Sequence, residues 1–190
     1  KAVQEARDQI GKILNVTRNE IIFTSGATES NNLAILGLKE FGLKNKKKHI
    51  ISSVIEHKAV LEPLEELKKE GFEIDLIPCE QDGRIDRNKI TKKVRPDTLL
   101  VSLMHVNNET GIKQPIQELC ESLKDKDCFF HVDAAQGFGK DIETLRNKRI
   151  DLISISGHKI YGPKGIGTLI TKLRNFEKPP LKPLFFGGGQ

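Results

Sequence analysis

Reactive side chains gather at one recurring place in this sequence, just past the end of a short apolar run. Gly26, Ala27 and Thr28 follow a run at 21–25, Glu56 and His57 one at 49–54, and Asn107, Asn108 and Glu109 one at 98–104. Asp133 closes a run at 128–133 with Gln136 just beyond it, and Ser156, His158 and Lys159 follow a run at 150–154. In open α/β sheets, ligands bind beyond the carboxyl ends of the strands, where loops and helix N-termini converge. The pattern therefore points to one ligand site at one edge of a sheet.

Each group has a chemistry and an ordinary alternative. Lys159 lies in SISGHKIYGPKGIG, where glycines and a proline surround a lysine just after a strand, so a tight loop presents an amine suited to covalent catalysis. With 31 basic residues in the chain, only that context separates it from a solvated surface charge. Asp133 ends FFHVD, a run apolar enough to be buried, and a carboxylate there needs a cationic or hydrogen-bonding partner. A protonated heterocyclic nitrogen would be one. Metal binding by His131 and Asp133 competes, though no third ligand has convincing spacing, and a purely structural aspartate is the other reading. The segment SGATES ends a strand and opens a helix, so the N–H groups of Ala27 and Thr28 can cradle a phosphate. An ordinary cap by Ser25 or Thr28 explains it equally well. It is not a P-loop, because the required lysine is missing.

Positioning these groups takes alternating strands and helices. Strands are expected at 21–25, 49–54, 73–78, 98–104, 128–133, 150–154 and 167–171, and helices at 29–41, 60–70, 87–94 and 116–124. The opening residues place Val3, Ala6, Ile10, Ile13 and Leu14 on one face of a further helix. This alternation predicts an α/β fold with a mostly parallel sheet covered by helices on both faces. No boundary is visible before about residue 171, so residues 1–171 are expected to form one large domain. Residues 172–190, rich in proline and glycine, are expected to be an extended crossing segment that leads into a glycine-rich loop. A first helix without an N-cap and an end inside a loop suggest a piece of a longer polypeptide.

Composition narrows the classes. The chain has 190 residues, 37% of them hydrophobic, enough for a continuous core. No apolar run approaches the length of a membrane span. The net charge of +5 owes part of its excess to KNKKK at 44–48, expected to be a solvated loop, and 5% aromatics without Trp give no support for nucleic-acid binding. Cys79, Cys120 and Cys128 form neither a disulfide framework nor a zinc motif, which fits a reducing compartment. Cys120 falls on an apolar helix side, whereas Cys79 and Cys128 flank strands, where partial exposure is expected.

The stretches TSGATESNNLAI, EHKAVLEPLEEL, LMHVNNETG, HVDAAQ and SGHKIYGPKGIGTL resemble, in order and separation, the signature segments of cysteine desulfurases in the class V aminotransferase group. The resemblance covers nearly the whole chain. It implies the large-domain fold of type I pyridoxal-phosphate enzymes, with a seven-stranded sheet and pyridoxal 5'-phosphate as cofactor. It makes Lys159 similar to the Schiff-base lysine and Asp133 to the partner of the pyridine nitrogen. Gln136 resembles the residue bonded to the phenolic oxygen, and His57 the imidazole stacked on the ring, with an acid–base role as the alternative to a steric clamp. Thr28, Ser156, His158 and the backbone of Ala27 resemble the phosphate anchors, and Asn108 a residue near the substrate and cofactor edge.

The same resemblance implies L-cysteine as substrate, alanine and an enzyme persulfide as products, and a sulfur acceptor or iron–sulfur scaffold as partner. It also implies a homodimer at full length, in the cytoplasm or an organelle matrix. The nucleophilic cysteine and the small C-terminal domain are expected beyond this chain, so the chain by itself is expected to bind cofactor without completing turnover. Phe186 stands where many relatives have histidine. A selenocysteine lyase, a related aminotransferase and a non-catalytic sulfur-relay scaffold are the competing readings.

Overall fold

Neighbouring residues in a strand point to opposite faces, so apolar doublets can feed two cores at once. Ile50, Leu152 and Leu169 join one buried cluster, while Ile51, Ile153 and Ile170 join the other. The structure, a computed structural model, describes residues 1–187. Gly188, Gly189 and Gln190, which belong to the expected start of a glycine-rich loop, lie outside the described residues.

The strands are β1 (Ile21–Thr24), β2 (His49–Ser53), β3 (Glu73–Ile77), β4 (Thr98–Met104), β5 (Phe129–Asp133), β6 (Leu152–Ser156) and β7 (Gly167–Thr171). They form one sheet in the order β1-β7-β6-β5-β4-β2-β3. Pairings from β6 across to β3 are parallel, and β7 runs antiparallel to both of its neighbours. The expected seven-stranded, mostly parallel sheet is therefore present.

Helices cover both faces. On one, α1 (Ala2–Leu14), α5 (Arg87–Lys93), α6 (Ile116–Ser122) and α7 (Ile142–Leu145) bury Leu14, Ile90, Leu119 and Leu145. On the other, α2 (Ala27–Leu36), α3 (Lys39–Lys44) and α4 (Lys58–Lys69) contribute Ile35, Phe41, Val60, Leu64 and Leu67. Each such side chain contributes about 1.5–3 kcal/mol when fully buried, which holds the strand ends in fixed register. No helix among the described residues is long and apolar enough to cross a membrane.

Several local expectations are corrected. The helix expected at 29–41 is two helices, because the tail crosses at Gly37: Lys182 donates its N–H to the Gly37 carbonyl at 2.9 Å. A Cβ added at Gly37 would lie 3.1 Å from the Lys182 oxygen, tighter than ordinary contact. The strand expected at 150–154 is shifted to Leu152–Ser156, since a turn from Asn147 to Ile150 occupies its start. Along α1 only part of the apolar face is covered: Leu14 is buried, whereas Val3 is 56% and Ile13 40% exposed. Cys128 is buried like Cys120, with only Cys79 exposed. Burial raises the thiol pKa of Cys128 and pushes that of Cys120 up to about 12, so both are packing residues.

Candidate active site

At the end of β1, the Thr24 hydroxyl meets Ser30 Oγ at 2.8 Å and donates to the Gly26 carbonyl at 3.1 Å, closing the turn into α2. Glu29 reaches back to accept from the Ser25 N–H at 2.7 Å and the Ser25 hydroxyl at 2.6 Å. Gly26 is the N-cap and no side chain caps the helix. The capping roles considered for Ser25 and Thr28 are thus absent, and the N–H groups of Ala27 and Thr28 face outward at the positive end of the helix. A Cβ at Gly167 would lie 2.5 Å from Gly26 Cα, so glycine is needed for β7 to pass under this turn.

His57 is the N-cap of α4, and its Nδ1 accepts the Ala59 N–H at 3.0 Å. That bond leaves the proton of a neutral imidazole on Nε2. Just before it, Glu56 is 6% exposed. Ser53 Oγ at 2.6 Å and the Met104 N–H at 3.0 Å both donate to its Oε1, and its Oε2 has no partner among the described residues. Burial pushes this carboxyl up to about 8, with the Asp133 charge adding to the shift.

Asp133 is 5% exposed at the end of β5. Its Oδ1 accepts the Ala135 N–H at 3.0 Å and its Oδ2 accepts Asn31 Nδ2 at 2.8 Å. Burial raises its pKa, against the pull of those donors and of His57. No lysine or arginine among the described residues pairs with it. Past β6, a short 3-10 helix (Gly157–Ile160) carries His158 and Lys159, and the Ser156 hydroxyl lies 2.8 Å from His158 Nδ1. Lys159 is exposed and forms no ion pair among the described residues.

All nine residues expected to contact a cofactor, from Ala27 and Thr28 through Asn108 and Gln136 to Ser156 and Lys159, line one cavity of about 440 Å³. Sequence reasoning missed Asn31, Met104 and Lys164, which line it too. Asn31 lies three residues after Thr28, on the same helix face, and that spacing was the available signal.

The donor set fits a phosphorylated, cationic heteroaromatic cofactor. A buried acid lacks a cation, an uncapped helix start offers N–H groups, and a free amine reaches the same cavity. The metal reading of His131 and Asp133 does not fit. Both ring nitrogens of His131 are engaged, by Ser102 Oγ at 2.8 Å and Ser154 Oγ at 2.9 Å, and burial pushes its pKa down to about 3. Another group, His49, Glu73 and Asp75, brings its ligand atoms within 4.8 Å at the opposite sheet edge. Arg95 already takes Glu73 at 2.7 Å and Lys93 takes Asp75 at 3.0 Å, which makes it an ion-pair network.

An open α/β sheet with an amine, an acid and an anion cradle at its carboxyl edge defines the class of protein. The class-V aminotransferase family model matches residues 1–190, and the chain belongs to that family. It is 48% identical over 190 residues to the probable mitochondrial cysteine desulfurase of Schizosaccharomyces pombe, and 47% over 189 residues to cysteine desulfurase IscS of Dictyoglomus turgidum. These alignments take in the whole chain but only 37% and 47% of those relatives, so the chain spans less than half of their length. The crystal structure of DndA from Streptomyces lividans matches 99% of the chain with a TM-score of 0.96 at 53% identity, covering 53% of that protein. SspA in complex with cysteine matches all of it with a TM-score of 0.89 at 43% identity, covering 54% of that protein.

Proposed function

We propose that this chain is the cofactor-binding part of a pyridoxal-phosphate-dependent cysteine desulfurase, with Lys159 as the residue that holds the cofactor. The observation that carries the reading is the convergence of Lys159, Asp133, His57 and the open start of α2 on one cavity. Relatives that carry the name cysteine desulfurase support it.

When bound, pyridoxal phosphate supplies an electron sink for the charge that develops as a bond to the substrate's α-carbon breaks. Asp133, as a carboxylate, would hold a proton on the ring nitrogen. The Ala27 and Thr28 N–H groups, with Thr28, Ser156 and His158 side chains, would bind the phosphate dianion. Lys159, which forms no ion pair among the described residues, would hold the cofactor through its amine and could carry a proton at Nζ. Gln136 and Asn108 would hold the ring and substrate edge, and His57 would offer its Nε2–H as a donor to the cofactor or substrate.

The finer assignments belong to the same reading. The substrate is L-cysteine, and sulfur passes through a persulfide on a cysteine outside this chain to an acceptor or iron–sulfur scaffold protein. The full-length protein is a homodimer in the cytoplasm or, like the relative named mitochondrial, in an organelle matrix. Residues 1–171 form the large domain, and the described part of the tail, 172–187, crosses toward a smaller C-terminal one. A non-catalytic scaffold is disfavoured because the Lys159 amine has no carboxylate partner among the described residues.

The test is to add pyridoxal phosphate to the purified chain, reduce with borohydride and map the labelled peptide. The expected label is on Lys159, and Lys159→Ala abolishes it. A label on another lysine overturns the assignment, and sustained sulfide release from L-cysteine by this chain alone overturns the placement of the nucleophile beyond it.

A further inference from the structure

Glu56 is the buried acid that the chemistry above does not use, and its hydrogen bonds are lopsided. Both donors, Ser53 Oγ and the Met104 N–H, converge on Oε1, while Oε2 is buried with no partner among the described residues. Were the side chain ionised, Oε2 would share a negative charge in a dry site with no donor and no cation beside it, an arrangement that folded proteins avoid. The groups facing it are Ser53 from β2, Met104 from β4 and Asp133 from β5. Asp133, the charged one, is an anion that opposes a second negative charge. Lys159, Lys164 and His158 line the same cavity as Asp133, and none pairs with Glu56.

Position gives the interaction its consequence. Glu56 ties the loop after β2 to the backbone at the end of β4, and the residues at the two ends of that tie, His57 and Met104, both line the cavity. Asp133 is the one acidic side chain among the described residues of the lining.

We propose that Glu56 is a positioning residue that works as an uncharged acid: one oxygen sets the placement of His57 and Met104, and its neutrality leaves Asp133 as the single negative charge beside the cofactor. The inference deepens the cofactor reading and rests on it only for the second of its two readouts.

The first readout is denaturant unfolding of the cofactor-free chain from about pH 5 to about pH 9, comparing wild type with Glu56→Gln and Glu56→Ala. Glutamine keeps the Oε1 acceptor and copies the neutral acid. Because the folded-state pKa of Glu56 is raised from 4.5 to about 8, its contribution is intact at low pH and is lost as pH rises across that window. Relative to Glu56→Gln, the wild-type folding equilibrium constant is expected to fall roughly tenfold per pH unit there and then level off. Every other group is common to the two proteins, so the difference between the curves isolates position 56. Glu56→Ala is expected to be destabilised throughout. Parallel pH curves for wild type and Glu56→Gln overturn the proposal. Should Glu56→Gln not fold, the carbon-13 shift of the Glu56 carboxyl in the wild-type chain decides: a midpoint near about 8 supports the neutral acid, and one near 4.5 refutes it.

The second readout is borohydride trapping of pyridoxal phosphate at Lys159 over the same range. Wild-type trapping is expected to weaken relative to Glu56→Gln toward the alkaline end. Trapping profiles that coincide overturn the electrostatic half of the proposal. If neither protein traps cofactor at any pH, the cofactor reading fails, and the unfolding curves still decide the state of Glu56.

Discussion

The two edges of the sheet use the same residue types to opposite ends. At the amino edge the buried acid is paired with cations, and the buried Lys172 amine donates to the Leu145 and Asn147 carbonyls at 2.6 and 3.0 Å. Asp151, 1% exposed, accepts Arg149 at 2.9 Å, Arg174 at 3.3 Å and the Phe130 N–H at 2.7 Å. Arg149 also donates to the carbonyls of Leu123 and Cys128, and His49 joins Thr98 to Asp75. At the carboxyl edge, among the described residues, Asp133 has no cation and Lys159 no anion. The buried polar side-chain atoms without partners among the described residues are Asn31 Oδ1, Glu56 Oε2 and His105 Nδ1. All three belong to that edge or touch it: Asn31 binds Asp133, Glu56 follows β2 and His105 follows β4. One edge spends its polar groups on stability and the other holds them ready for a ligand, as expected where function competes with satisfied interactions.

The sharpest way to break this contrast is to remove Asp151. Asp151→Ala leaves Arg149 buried without its anion and is expected to cost about 3–5 kcal/mol in denaturant unfolding. A loss under about 1 kcal/mol would mean that the amino edge is not held by its charges.

The matching change at the other edge should behave in the reverse sense. Asp133→Asn removes a buried charge that has no counter-ion, so the cofactor-free chain is expected to be at least as stable as wild type near neutral pH, while its affinity for pyridoxal phosphate drops roughly tenfold to a hundredfold. Titration by cofactor fluorescence beside the unfolding curve checks both halves, and a variant that unfolds easily but binds normally would reverse the roles given to the two edges.

The smallest effect is expected on the amino-edge surface. Arg95 bridges Glu73 and Asp97 and is 38% exposed, so Arg95→Ala should cost under about 1 kcal/mol and the cost should shrink in high salt. A salt-independent loss of several kcal/mol would show that solvent does not screen this network.

Much of the carboxyl edge could be read directly because a strand's end is visible in its apolar run, and a reactive residue just past it must lie at that edge. Lys159, Asp133, His57 and the SGATES turn needed only this rule to be placed together. Asn31 escaped because, inside a helix, it reads as one more polar residue, and its bond to Asp133 spans 102 positions of chain. The break at Gly37 escaped for a similar reason, since it depends on where Lys182 crosses. Cys128 was misjudged because adjacency to a strand does not say whether Arg149 and the tail will cover it.

Sequence alone was enough to determine the alternation of strands and helices, the family, and which side chains share an edge, because periodicity and motif order are local properties of the chain. Tertiary structure decided which of the buried acids meet a cation and which do not. Asp151 and Asp133 are both aspartates at strand ends, and only the packing of distant segments gives the first two arginines and leaves the second facing a cavity. Desolvation and pairing depend on what surrounds a charge in space, and a residue's place in the sequence does not carry that information.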